Sequence, residues 1–350
     1  MFSFKRILIP ILIGVGFSVF SLVMNDFDFS VLKGVEYSLH YIVLAFVLMF
    51  IRDLAYIWRL RVLTDYAISF RDAFQVIMLW EFASSVTPSM VGGSAFAIFF
   101  LNAEGIKLGK STAIVLITAL LDELFYIIMV GLILLCYGTA ILHSNVNLPF
   151  NVTLFFFIGY GFIMLLTSII LVGVFIAPQG VKKLLVALFS IPFLRKWRTG
   201  AAKTGDEIII TSKELKGKSF YYWFQAAFAT FLSWTARFWV LNCLILALNP
   251  DMPFHFGQQI TIYAKQLVMW VILLISPTPG ASGVAEISFA AFFGNEFPAN
   301  LQAAVALLWR AISYYPYLFI GLIVLPIWLR KLRIKKIKRY QNEDETQCKH

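Results

Sequence analysis

Several charged side chains of this sequence sit inside long apolar runs, where a charge is hardest to place. Asp122 and Glu123 lie in the middle of the run Ala113–Tyr137, Arg237 in the middle of Tyr222–Leu248, and Arg310 in the outer third of Leu301–Leu329. Glu81, Lys265 and Glu286 fall in two further apolar stretches, and Arg52 and Asp53 in Tyr41–Leu60. A charge at bilayer depth costs at least ~2.5–3.5 kcal/mol, so such residues either pair with one another or line a polar path. A guanidinium stays charged and grips phosphate oxygens in a two-pronged fork. Arg237 and Arg310 are therefore the residues expected to bind an anionic group. Glu286 is the expected partner that gives up an arginine when substrate arrives, and Asp122 and Glu123 are acids able to pair with a cation or carry a proton. These two point about 100° apart on a helix and cannot both face one partner. Glu81, Asp122, Glu123 and Glu286 are expected to be balanced by Arg237, Lys265 and Arg310.

Two polar interruptions supply the second kind of chemistry. One reads Thr87-Pro88-Ser89-Met90-Val91-Gly92-Gly93 and the other Thr278-Pro279-Gly280-Ala281-Ser282-Gly283, sharing the spacing Thr-Pro-x3-Gly. Pro and Gly at this density end a helix, so Pro88, Gly92, Gly93, Pro279, Gly280 and Gly283 are read as the hinges of two hairpins. The hydroxyls of Thr87, Ser89, Thr278 and Ser282 are then placed either to bind a polar ligand or to satisfy the broken backbone.

Other chemistries are excluded. Of 350 residues, 60% are hydrophobic and 14% charged, against about 25% charged in an average soluble protein. An ordinary soluble enzyme, a disordered chain and a disulfide scaffold do not have this composition. The net charge of +10 lies between the apolar runs and reads as membrane topology, not nucleic-acid binding. The four histidines have no metal-ligand spacing, Cys136, Cys243 and Cys348 make no framework, and no phosphate-binding Gly-x4-Gly-Lys-Ser/Thr loop occurs. No cofactor is expected. Trp58, Trp80, Trp223, Trp270 and Trp328 read as interface anchors.

The elements that position these residues follow from length. A bilayer core of ~30 Å takes about 20 helical residues. Ile7–Met24, read as an uncleaved span, Tyr41–Leu60, Ala113–Tyr137, Val152–Ala177, Tyr222–Leu248 and Leu301–Leu329 qualify. Ala73–Leu101 and Gln258–Gly294 are broken at the two polar tips, and their short flanks Val91–Leu101 and Val284–Phe293 reach only about 15–17 Å. If both broken stretches crossed, nine cations of Pro178–Lys218 would lie outside the cell, against the positive-inside bias. If both enter and return on one side, Arg59, Arg61, Arg71, Lys107, Lys110, the nine cations and Arg330–Arg339 all become cytoplasmic, and the outer loops keep only Lys33. The expected fold is an all-α integral membrane protein of six full spans and two re-entrant hairpins, with both termini inside. Residues 1–330 form one polytopic domain and 331–350 a basic cytoplasmic tail. Units of about 41–137 and 222–329 run in opposite senses as an inverted repeat, joined through 138–221 with its basic cytoplasmic segment 178–218. Broken helices meeting near the midplane are a transporter architecture. No dimerisation face stands out. Within the basic segment, Val181 to Phe189 has apolar and basic residues at helical spacing and reads as a surface helix or a plain basic loop.

The two tips, with Val284-Ala285-Glu286 after the second and Arg310, Tyr314 and Pro316 beyond it, resemble the transmembrane region of lysylphosphatidylglycerol synthetases over roughly residues 5–330. This region also occurs as stand-alone, flippase-like proteins of bacteria. The resemblance implies movement of a phospholipid between the leaflets of a bacterial cytoplasmic membrane. Only a short polar tail follows Arg339, so lysyl transfer is not expected, and Asp122-Glu123 stands where relatives often carry a basic residue before an acid. A lysylated headgroup is therefore not assumed. The expected function is that of a lipid flippase or scramblase, not an enzyme, with phospholipids and protons as partners and no nucleic acid. The alternatives are a small-solute or ion-coupled transporter, a membrane enzyme acting on lipid-linked substrates, and a structural protein.

Overall fold

The computed structural model describes residues 37–87, 89–142, 151–191, 195–248, 253–274, 281, 284–294 and 299–347. All regular structure among them is helical. The expected span Ile7–Met24 and the tip residues Pro88, Thr278, Pro279, Gly280, Ser282 and Gly283 lie outside the described residues. The helices are α1 (Leu39–Leu63), α2 (Phe70–Val86), α3 (Ser89–Ala103), α4 (Leu108–Tyr137), α5 (Val152–Leu171), α6 (Pro178–Leu188), α7 (Arg198–Lys216), α8 (Phe220–Leu248), α9 (Phe256–Leu274), α10 (Val284–Phe293), α11 (Ala299–Ser313) and α12 (Tyr315–Gln347). Five stretches are long and apolar enough to cross a membrane: Leu39–Leu63, Leu108–Leu142, Val152–Ile176, Phe220–Leu248 and Val305–Ile334. They coincide with the five apolar runs that follow Met24.

The first hairpin is more regular than its sequence. Pro and Gly were expected to disrupt the chain from Ser84 to Gly93, yet α2 runs to Val86 and α3 resumes at Ser89. Between them Thr87 adopts extended backbone, φ −104° and ψ 142°. Gly92 and Gly93 are thus inside α3, not in a hinge. A β-carbon on Gly93 would stand 2.0 Å from Ser84 Oγ, so this glycine lets the two arms approach closely. Ser69 caps α2 by accepting from Asp72 N at 3.1 Å. At this same end of the pair, Lys331 Nζ reaches both Asp72 (2.5 Å) and Glu104 (2.7 Å). The beginning of α2 and the residue after α3 therefore share one ammonium. Trp328 Nε1 adds a hydrogen bond to Glu104 at 2.8 Å. Trp328 is fully buried, so it anchors the hairpin base and does not sit at a lipid interface.

The last run is not one helix. It breaks at Tyr314, whose hydroxyl donates to the carbonyl of Ser85 at 2.9 Å. α1 and α8 form the most extensive helix pair and run antiparallel. Ser38 N bonds Ala247 O at 2.8 Å at one end, and Tyr222 OH meets Leu63 O at 3.4 Å at the other. Phe46 and Phe50 on α1, Phe155 and Phe157 on α5, and Phe224, Phe228 and Phe231 on α8 stay exposed, an apolar surface suited to lipid.

Charges gather at the end where α1 finishes and α4 and α8 begin. Asp65 and Tyr66 turn the chain with positive φ of 53° and 58°, and Asp65 bonds Lys110 and Lys218. Lys110 also meets Glu214 of α7 at 3.6 Å. Burial opposes ionisation of Asp65, but Lys218 and Lys110 outweigh it and hold its carboxyl below the ordinary range. A depressed carboxyl stabilises the fold above its unfolded pKa, and that contribution is lost as pH falls through the folded value. Asp65→Asn is expected to melt below wild type at neutral pH and to converge with it in acid, as read by thermal unfolding in detergent at both pH values.

Candidate functional site

A cavity of about 320 Å³ opens where α1, α2, α4, α8, α9 and the α11–α12 break converge. Ser94 of α3, Ile163 of α5, and Ala281 and Ala285 close it. Ala281 takes a positive φ of 53° at this wall, a conformation costly for a residue with a β-carbon.

The wall brings together most of the residues singled out from sequence. Thr87, Asp122, Glu123, Arg237 and Arg310 all line it. Ser89 begins α3, and Glu286 lies in the first turn of α10. Lys265 lies on α9 outside the lining. Thr87 acts locally, because its hydroxyl donates to Ala83 O at 2.6 Å and so satisfies the broken backbone.

The ion pairs differ from those expected. Glu81 pairs with Arg52 at 2.6 Å and Asp122 with Arg59 at 2.5 Å. Both arginines come from α1, seven residues apart and so on one helix face. Tyr56 lies between them, its ring centre 4.5 Å from the Arg52 guanidinium and 4.7 Å from that of Arg59. Arg52 also holds Asp53 at 2.8 Å, and the Tyr317 hydroxyl donates to the same carboxylate oxygen at 2.8 Å. Arg59, read from sequence as a charge marking the end of a span, is 4% exposed and donates to Thr230 as well, at 3.0 Å. Trp234 Nε1 donates to Asp122 at 2.7 Å. Asp122 thus ties α1 to α4 and α8. Glu123 faces the other way, toward α5, and meets the Thr167 hydroxyl at 2.9 Å.

Arg237 is held differently. Its guanidinium lies 4.6 Å from the ring centre of Trp270 and 5.6 Å from that of Trp234. Among the described residues it forms no ion pair within 4.0 Å. Stacking on aromatic faces fixes the plane of the fork and leaves its hydrogen-bond edge usable. Arg310 is 4% exposed and stacks on Tyr314 at 4.3 Å. Trp80 and Trp270 are cavity residues, not interface anchors. Sequence reasoning missed Tyr56, Arg59 and Trp234. The seven-residue spacing of Arg52 and Arg59 was the available signal.

With this geometry in hand, comparison of the sequence with known families is decisive. The family model of the lysylphosphatidylglycerol synthase TM region matches residues 7–321. The chain belongs to that family. Proteins similar to it include a UPF0104 membrane protein of Archaeoglobus fulgidus, 26% identical over 335 residues covering 91% of this chain and 95% of the relative. Another is UPF0104 membrane protein MJ1595 of Methanocaldococcus jannaschii, 26% identical over 313 residues covering 85% and 88%. No solved structure matches. The family match takes in the residues that line the cavity, and the two relatives are membrane proteins of nearly the same extent.

Proposed function

We propose that this family member moves a phospholipid between the leaflets of the cytoplasmic membrane, as a flippase or scramblase. One observation carries the reading: an arginine fork, Arg237, held on two tryptophans within a cavity enclosed by apolar helices, with Arg310 in the same wall. A cavity of this size takes a phosphate-bearing headgroup and leaves the acyl chains to the exposed apolar surface. Arg237 and Arg310 bind the phosphate, Glu286 exchanges with it, and Asp122, Glu123, Thr87, Ser89, Thr278 and Ser282 shape the polar path. Protons are the coupling ion of any uphill movement.

The accompanying topology has six spans, two re-entrant hairpins and cytoplasmic termini, in the bacterial membrane setting implied by the sequence resemblance. Its support is threefold. Lys331 joins the two ends of the first hairpin. The leading helices of the two units, α1 and α8, are antiparallel neighbours as an inverted repeat requires. Lys110 and Lys218 lie at one end of the bundle, the pattern of a cytoplasmic face.

The test is reconstitution with fluorescent phospholipids of different headgroup charge, quenching the outer-leaflet label over time. Wild type is expected to expose the inner-leaflet pool faster than protein-free vesicles, with or without an imposed proton gradient. Arg310→Ala and Glu286→Gln are expected to slow it without preventing membrane insertion. Normal movement by both variants would remove the site assignment. No movement with any headgroup or gradient, combined with a shift in melting temperature on adding water-soluble solutes, would transfer the reading to a solute transporter.

A further inference from the structure

The α6–α7 pair lies apart from the cavity, and its outer face has no covering among the described residues. The span Val152–Ile176 ends in a π turn, and Ala177 leaves helical geometry at φ −128° and ψ 59°. A β-carbon on Gly173 would stand 3.1 Å from Val181. Contact between residues eight apart requires a bend, since a straight helix would separate them by about 12 Å. α6 therefore turns off the axis of the span directly where the span reaches the membrane surface.

One side of α6 is fixed to α7. Lys182 bonds Asp206 at 2.5 Å, and a β-carbon on Gly205 would meet the Lys182 side chain at 2.6 Å. α7 is in turn fixed to the bundle. Glu207 accepts from Gly109 N at 2.7 Å at the start of α4, and the Ser212 hydroxyl donates to Val174 O. The opposite side of α6 carries Leu184, Ala187 and Leu188, a spacing that gathers them on one face, and Ile191 follows just past the helix end. Leu184 is 71% exposed, Leu188 50%, Ile191 49% and Trp197 47%. Exposed cations stand beside this strip in the chain: Lys183 on α6 itself, and Arg195, Lys196 and Arg198 after it. Lys196 Nζ sits 4.2 Å from the Trp197 ring centre. An apolar strip with an aromatic edge and cations beside it, beginning one residue past a span, has the composition of a helix that lies in a charged lipid interface.

We infer that α6, with Ile191 and the turn Arg195–Trp197, docks onto the anionic leaflet of the membrane the chain spans, burying Leu184, Leu188 and Ile191 among the acyl chains and placing Lys183, Arg195, Lys196 and Arg198 at the phosphates. The occupant is lipid because the strip is continuous with the bilayer end of α5 and its flanking charges are all positive. Through Glu207 and Gly109 the docked segment bears on the first turn of α4, the helix that carries Asp122 and Glu123 into the cavity.

The test needs no transport assay and so stands apart from the lipid-movement reading. With Cys136, Cys243 and Cys348 replaced by Ala, Ala187→Cys takes a bimane label. The labelled protein is reconstituted into brominated phosphatidylcholine, alone or mixed with brominated phosphatidylglycerol. The bromines are expected to quench the label, more strongly with phosphatidylglycerol, and added salt is expected to remove the difference. Replacing the four cations with Gln should remove the phosphatidylglycerol-dependent part, and Leu184→Ser with Leu188→Ser should abolish quenching. Unchanged gel-filtration and melting behaviour would show that the variants fold. A label that stays in water in both membranes would overturn the proposal. So would equal quenching with and without phosphatidylglycerol, or quenching by a second labelled copy that rises with protein density.

Discussion

Arg52→Met is expected to destabilise the protein by about 3 kcal/mol, the largest effect of any single change in the bundle outside the cavity. Removing one member of a buried ion pair leaves the other charge uncompensated, at about 3–5 kcal/mol. The lower end applies because the carboxylates of Asp53 and Glu81 keep 19% and 22% of their side-chain exposure, whereas Arg52 has none. Tyr317 continues to donate to Asp53, so Glu81 bears most of the loss. Arg52→Met with Glu81→Leu should recover a large part of it, because replacing both partners by apolar groups of similar volume is often nearly neutral. Thermal unfolding of the purified variants in one detergent measures the cycle. Equal melting of Arg52→Met and wild type would show that the pair contributes nothing to the fold.

Arg237→Ala is expected to show the opposite profile. The guanidinium has no ion pair among the described residues, so its removal strands no carboxylate within 4.0 Å and melting should change little. Loss of a charge-assisted bond to a phosphate is worth about 1.5–3 kcal/mol, which is a ten- to hundredfold slower movement of labelled phospholipid. Arg237→Lys should fall between, since an ammonium keeps the charge but loses the planar fork and part of the stacking on Trp270 and Trp234. A variant pair that moves lipid at wild-type rates would place phosphate recognition elsewhere. A variant pair that melts early would show Arg237 to be structural.

The apolar runs were legible because span length and hydrophobicity answer to one constraint, the thickness of the bilayer. Four of the five expected runs after Met24 return as single spans with ends shifted by a few residues, the fifth returns as two helices meeting at Tyr314, and Val284–Phe293 returns unchanged. Local grammar misled at Gly92 and Gly93. Both read as breakers, yet at Gly93 glycine is required by the close passage of Ser84 on the facing arm, a tertiary demand with no local signature. The continuous reading of Leu301–Leu329 passed over a local sign: Pro316 has no N–H to give to the preceding turn, and the helix breaks two residues before it, at Tyr314, whose side chain reaches Ser85.

Charge was legible in kind but not in partnership. Asp122, Arg237 and Arg310 stood out because each lies deep in an apolar run, and all three line the cavity. Their partners depend on which helix lies beside which. α1 supplies both Arg52 and Arg59 only because it packs against α8 and reaches α2 and α4. Arg59 was passed over because its place near the end of a run gives a cheaper explanation for a cation, the topology rule, than burial does.

Lys331 closes the base of the first hairpin by holding Asp72 and Glu104 together. An antiparallel pair joined by the chain at one end and clamped by an ion pair at the other behaves as a closed link does. Its arms are held at both ends, by the chain itself through the Thr87 bend beside Arg310 and Tyr314 and by Lys331 at the base. The pair is therefore fastened to the last helices twice, through Lys331 at its base and through the bond from Tyr314 to Ser85 at its tip, and is expected to move with them as one body, not to open.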